Sequence, residues 1–176
     1  MNTLTPKSRV KVNLTWPELA IAYEVSKHRR IISMKNNLMP RYGASATEGV
    51  EETEIFSCRG ELAVAKCLNL YWSGSAGDIS VADVGWSVEV RTVNKKGRRL
   101  IIHPSDRDWS PFVLVDASEE RSLDLVGWML GGDGKQDKYW ADPTGTGRHA
   151  YFIDTKDLRP ISELELMCKN GAFKAP

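Results

Sequence analysis

Two stretches keep apolar residues at helical spacing before any strand pattern begins. In the run from about 16 to 37, Leu19, Ala22, Tyr23 and Ser26 share one stripe, which predicts a helix. Thr15 is placed to cap it, Pro17 is tolerated in its first turn and Glu18 suits its positive end. A second helix is predicted over about 48 to 70, with Phe56, Ala63, Cys67 and Leu70 on its core face. Glu61 interrupts that apolar character. Its neighbours one turn along are Val64, Ala65 and Leu68, and a carboxylate among them needs a partner. Gly60, just before it, lowers helix propensity by about 1 kcal/mol relative to Ala and leaves room for another segment to approach closely.

From about residue 79 the pattern changes to strands. These are predicted near 79–83, 86–93, 99–103 and 112–116, then at 125–130 and 150–153. The run NKKGRR reads as the tip of a hairpin joining the second and third, with Gly97 supplying a positive φ. MPRYGASATEG reads as a loop, GGDGKQDKYWADPTGTG as a flexible one, and DLRPISELELM as a loop followed by a short helix. This order predicts an α/β protein of mixed α+β type, with a central mixed sheet flanked by helices and an extra N-terminal helix. At 176 residues one domain is expected: an N-terminal helical extension over 1–47, a core over 48–116, and C-terminal strands and loops over 117–176.

The stretch ADVGWSVEVRTVNKKGRRLIIHP, residues 82 to 104, carries the candidate chemistry. Val88, Val90 and Val93 supply its apolar positions, while Asp83, Glu89 and Arg91 follow the pattern D-x5-E-x-R. Glu89 and Arg91 are two apart, so on a strand they leave the same face. The Val84–Gly85 turn folds Asp83 back beside them, and Glu61 could pack the end of its helix against that face. Carboxylates in this number suit a hard divalent cation such as Mg²⁺ or Mn²⁺, with water and phosphate completing its octahedron. Such a metal polarises a phosphodiester and lowers the pKa of an attacking water, and a neighbouring cation offsets charge on the phosphorus.

These residues resemble the PD-(D/E)XK nuclease superfamily over about 50 to 116, with the motif read as Glu61, Asp83 and Glu89-Val90-Arg91. The wider run from VEVRTV to SPFVLV also looks like small phage-encoded members of that group. The resemblance implies a restriction-endonuclease-like core and a metal-dependent deoxyribonuclease, with Asp83, Glu89 and the Val90 carbonyl on the metal. It implies that Glu61 contributes to the metal site or orients its water, that DNA is the partner, and that a homodimer is possible. Two positions depart from the pattern. Ala82 stands where Pro is common, and Arg91 stands where the motif has Lys. Arg stays charged, cannot give up a proton and presents a wide planar fork. Lys95 and Lys96, the other candidates for the Lys role, lie nearer the hairpin tip. The alternative reading is a catalytically inactive nuclease-fold protein that binds nucleic acid or a protein partner.

Charge and composition narrow this further. The net charge of +1 hides a basic N-terminal part, with eight Lys or Arg against three Glu over 1–50, and an acidic stretch over 116–165, with six basic against eleven acidic residues. That asymmetry suits one face meeting a polyanion. Lys95, Lys96, Arg98 and Arg99 are the first candidate phosphate contacts, and Lys27, Arg29, Arg30 and Arg41 the second. Cys58, Cys67 and Cys168 lack any C-x-x-C spacing, and His28, His103 and His149 are scattered. The cysteines argue against a disulfide framework and a zinc knuckle, and the histidines do not suggest a histidine metal site or a catalytic triad. No apolar run suits a membrane span or a signal peptide, so a cytoplasmic protein is expected, in the host cytoplasm if phage-encoded. Asp106 and Asp108 read as solvated turn carboxylates, with acids that support the site from behind its ligands as the alternative. Most of the six Trp read as core or edge packing, with Trp86 and Trp109 as candidates for stacking on a splayed base.

Overall fold

The computed structural model describes residues 9–36, 50–75, 81–95 and 97–173. Strand β1 (Val10–Asn13) leads into helix α1 (Trp16–Lys35), which opens on a capping box. The Thr15 hydroxyl accepts from the Glu18 N–H while the Glu18 carboxylate accepts from the Thr15 N–H. Helix α2 (Val50–Leu68) packs across α1. Strands β2 (Glu89–Val93), β3 (Leu100–Ile102), β4 (Pro111–Asp116) and β5 (Ser122–Leu130) follow. Then come the short helix α3 (Gly131–Gly134), strands β6 (Trp140–Ala141) and β7 (Ala150–Ile153), and helix α4 (Ile161–Lys169).

The central sheet has four strands in the order β1-β5-β4-β2, with β2 parallel to β4 and the other pairs antiparallel. A second antiparallel sheet has the order β3-β7-β6. Every residue of β4 is buried because both its faces are covered. Val113 and Val115 join Ala63, Val64 and Leu68 of α2 and Leu164 of α4 in one core, while Phe112 and Leu114 join Leu100, Ile102 and Ile153 of the second sheet in another. This is the mixed α+β architecture with a central mixed sheet and flanking helices that the element order predicts.

Several predicted details differ. NKKGRR does not close a hairpin: the inner edge of β2 pairs with β4, and the chain crosses to the second sheet, where Leu100 and Ile102 are fully buried. Gly97 does take a positive φ of 77° in that connection. Val93 does not share a face with Val88 and Val90. Those two face the helices, whereas Val93 packs on the second sheet's core, as strand parity requires. Residues 81–83 form no strand, and residues 79 and 80 lie outside the described residues. β1 and β6 are additional strands, β5 begins at Ser122, and the stretch read as a flexible loop carries α3, a 3₁₀ turn at Asp137–Tyr139 and β6. Only Trp128 among the tryptophans is fully buried, while Trp16, Trp86, Trp109 and Trp140 are exposed.

Gly60 explains how α2 lies so close to β2. A Cβ there would stand 2.0 Å from Thr92 Oγ1 and 3.0 Å from Thr92 Cβ. Gly60→Ala is expected to destabilise the protein by about 1–3 kcal/mol, despite the gain in helix propensity. Thr92→Ala in the same chain is expected to recover part of that loss in urea unfolding.

Candidate functional site

β2 is an edge strand, and the chain before it folds into a tight turn that fills its outer side. Val84 and Val88 exchange backbone hydrogen bonds at 3.0 and 3.2 Å, Gly85 sits at φ 57°, and its N–H donates to the Tyr71 carbonyl at 2.8 Å. This returns Asp83 to the strand, where Oδ2 accepts from the Val90 N–H at 2.8 Å. The Asp83 carboxyl also hydrogen-bonds Glu89. Burial first, and then the charge of Glu89, push Asp83 up to about 6; burial likewise raises Glu89. Two carboxyls that crowd one another away from water hold a proton that isolated ones would lose.

Arg91 leaves the same face as Glu89 but pairs elsewhere. Its Nη2 donates to Asp106 Oδ2 at 2.8 Å, and its guanidinium lies 5.0 Å from the Phe112 ring centre. Asp106 also accepts from the His103 N–H, so it does more than solvate a turn. The parallel register Glu89↔Phe112 brings the loop at 103–110 to the Glu89 end of β2. Arg107 in that loop acts electrostatically on Glu89.

Glu61 is buried, as its apolar neighbours imply, and its partners are now named. Arg29 Nη1 and Nη2 each donate to one of its oxygens at 2.7 Å, and Trp72 Nε1 donates to Oε2 at 2.8 Å. Burial pushes the Glu61 carboxyl up, against the pull of Arg29, and the bidentate pair holds the Arg29 charge more firmly than usual. Arg29 is therefore an internal partner of α2 and not part of a surface phosphate track. Glu61 lies on the helical side of β2, with Val88, Val90 and Thr92, while Glu89 leaves the opposite face. Asp83 stands at the strand edge between them and feels both Arg29 and Arg91. Among the described residues no three or more His, Cys, Asp or Glu side chains gather into a ready-made metal cage. The expected third carboxylate is thus saturated by its own partners.

The basic residues are dispersed. Lys95, Arg98 and Arg99 are exposed but follow the end of β2 away from Glu89, four residues of strand, roughly 13 Å, from Glu89 to Val93. Arg98 and Arg99 line an open cleft of about 630 Å³ with Asn94, Thr144 and Phe152, and the Arg99 guanidinium lies 5.1 Å from the Phe152 ring centre. Lys27 pairs with Glu24 at 2.7 Å, and Arg30 is half-buried beside it. Lys96 and Arg41 lie outside the described residues.

The donors that remain fit a hard metal. Asp83 and Glu89 are bonded to each other beside Val90, whose carbonyl accepts from Arg91 Nη1 at 3.5 Å, and Mg²⁺ commonly takes one or two carboxylates and fills its other positions with water and phosphate. Sequence reasoning passes over Trp72 and Arg107, and it places Arg29 on a phosphate track and Asp106 in a solvated turn, where the structure gives them Glu61 and Arg91 as partners. The only sequence signal among them was the unmet need of Glu61 for a partner. No helix among the described residues is long and apolar enough to cross a membrane. Comparison with family models, with curated proteins and with solved structures yields no match for this chain.

Proposed function

We propose that the protein is a metal-dependent nuclease that hydrolyses DNA phosphodiester bonds. The observation that carries this reading is the Asp83–Glu89 pair: two carboxyls hydrogen-bonded to each other where the turn meets the edge of β2, Asp83 raised by burial and by the charge of Glu89, Glu89 raised by burial, with Val90 next to Glu89 in sequence and Asp83 bonded to its N–H. Such pairs of perturbed acids cluster where chemistry is done. Bound Mg²⁺ or Mn²⁺ supplies a Lewis acid for the phosphoryl oxygen and a water of lowered pKa. Asp83, Glu89 and the Val90 carbonyl hold it. Arg91, oriented by Asp106, places a fixed cation beside the phosphate, and Arg107 adds a second. Glu61 and Arg29 keep a charged pair packed behind Asp83, so that the turn is held at the strand edge. Lys95, Arg98 and Arg99 contact backbone phosphates farther along the strand.

One observation favours the reading of a nuclease-fold protein that binds without cutting: Arg91 is engaged with Asp106 and cannot serve as a proton carrier. Incubation of supercoiled and of branched DNA with Mg²⁺ or Mn²⁺ separates the two. Cutting that stops when a chelator is added, and resumes with excess metal, is the expected result. Salt-sensitive binding with no cutting under any metal supports the binder.

A further inference from the structure

Two large aromatic side chains near the carboxylate pair, Trp86 in the chain and Trp109 in the fold, are largely exposed. Trp86 is 70% exposed and Trp109 is 57% exposed, whereas Trp128 is fully buried. Neither exposure comes from a loose segment. Trp86 rides the turn closed by the Val84–Val88 hydrogen bonds and by Gly85 to Tyr71, three residues before Glu89. Trp109 rides the loop at 103–110, which is fastened from several sides. Lys135 Nζ donates to the Pro104 and Asp106 carbonyls and to the Asp108 carboxylate. The Gly131 N–H donates to the Ser110 carbonyl at 2.9 Å and the Gly132 N–H to the Asp108 carbonyl at 2.8 Å. A Cβ at Gly131 would lie 2.1 Å from the Arg107 carbonyl, so that close approach needs glycine. The fold thus presents two exposed tryptophans on well-fastened turns at the Glu89 end of β2.

We infer that Trp86 and Trp109 are stacking platforms for unpaired bases, so that the nucleic acid entering the site is single-stranded or locally opened at the bond to be cut. This inference rests on the phosphodiester-cleaving reading of the Asp83–Glu89 pair. An aromatic face offers a base a sequence-tolerant contact, but only a base that has left its own stack can use it. The Arg107 guanidinium, 5.4 Å from the Trp109 ring centre, adds a cation for the adjoining phosphate or for the base itself. A protein partner fits less well. The rings come from two separate turns bordering a carboxylate pair, whereas a stable protein interface calls for a contiguous surface of roughly 1,000 Å² or more.

The test is binding, read without cleavage. Fluorescence anisotropy, in Ca²⁺ and again in chelator, compares a dye-labelled thymidine strand of about 12 nucleotides, within the usual site sizes for such grooves, with a blunt duplex of equal length. Trp86→Ala and Trp109→Ala are each expected to weaken single-strand binding about 10-fold, and Trp109→Phe to retain most of it. Duplex binding should change less than about twofold, since duplex bases keep their own stacking. Both side chains are exposed, so circular dichroism should show the variants folded. Unchanged single-strand affinity in the folded double variant overturns the inference, as does tighter binding of duplex than of single strand. A change in sedimentation with no change in DNA binding also overturns it and makes the surface a self-association face. If the wild type binds neither oligonucleotide, the nuclease reading fails along with it.

Discussion

Asp83→Asn is expected to abolish metal-dependent DNA cleavage and at the same time to make the protein more stable. An Asp carboxyl held at about 6 in the native state against an ordinary 3.8 binds its proton more tightly when folded. Over the window between those values the native state carries more protons than the unfolded chain, so stability falls as pH rises through it. At pH 7 the full cost is present, roughly 2 to 3 kcal/mol. Asn keeps an oxygen to accept from the Val90 N–H and removes the repulsion with Glu89, so a gain of about 1 to 3 kcal/mol in urea unfolding at pH 7 is expected, shrinking towards pH 4. A divalent metal should reverse the ranking. It stabilises the wild type by mass action and leaves the variant unaffected. Metal affinity should rise with pH through about 6, because the pair must lose its shared proton to accept the cation. An unchanged or lower stability for Asp83→Asn, with no effect of Mg²⁺ on the wild type, would reduce the pair to ordinary buried polar residues.

Arg29→Ala is expected to cost about 3 to 5 kcal/mol, far more than a helix surface position normally would. The loss has little to do with Arg29's own contacts. It arises because the Glu61 carboxylate is left buried with only Trp72 as donor. The expected signature is non-additivity. Arg29→Met with Glu61→Leu should recover most of the stability that either substitution loses alone, since a well-packed apolar pair removes both desolvated charges. Arg29 also lies in the electrostatic field of Asp83, so removing it is expected to raise that carboxyl further and to weaken metal binding at neutral pH. Urea unfolding of the four species in a double-mutant cycle, with a Mn²⁺ titration of each, measures both effects. Costs that simply add would mean that the pair is solvated in solution.

The parts of the fold set by local chemistry were legible in the sequence. Thr15 and Glu18 announce α1 because a capping box is written within four residues. Asp83 and Glu89 could be brought together because one turn and one strand suffice to do it. Partners distant in the chain could not be read. Arg29 meets Glu61 across 32 positions and Arg91 meets Asp106 across 15, and both depend on how elements stack. The hairpin expected at NKKGRR shows the limit most clearly. Its composition is sound turn chemistry, and Gly97 does adopt the positive φ a turn uses. Yet β2 gains more by pairing with the wholly buried β4, while Leu100 and Ile102 bury beneath the sheet. β1 was missed because its two exposed polar residues leave only Val10 and Val12 to mark it, and its burial depends on β5.

The most direct measurement is Mg²⁺-dependent cleavage of supercoiled and branched DNA by the wild type and by Glu89→Ala, with DNA affinity measured alongside. The wild type is expected to cut. The variant should fall by about 10³-fold or more while still binding DNA, because the lost carboxylate serves the metal and not the phosphate track. Equal cutting by both proteins, or equal binding with cutting by neither, would contradict a catalytic metal site at Asp83 and Glu89.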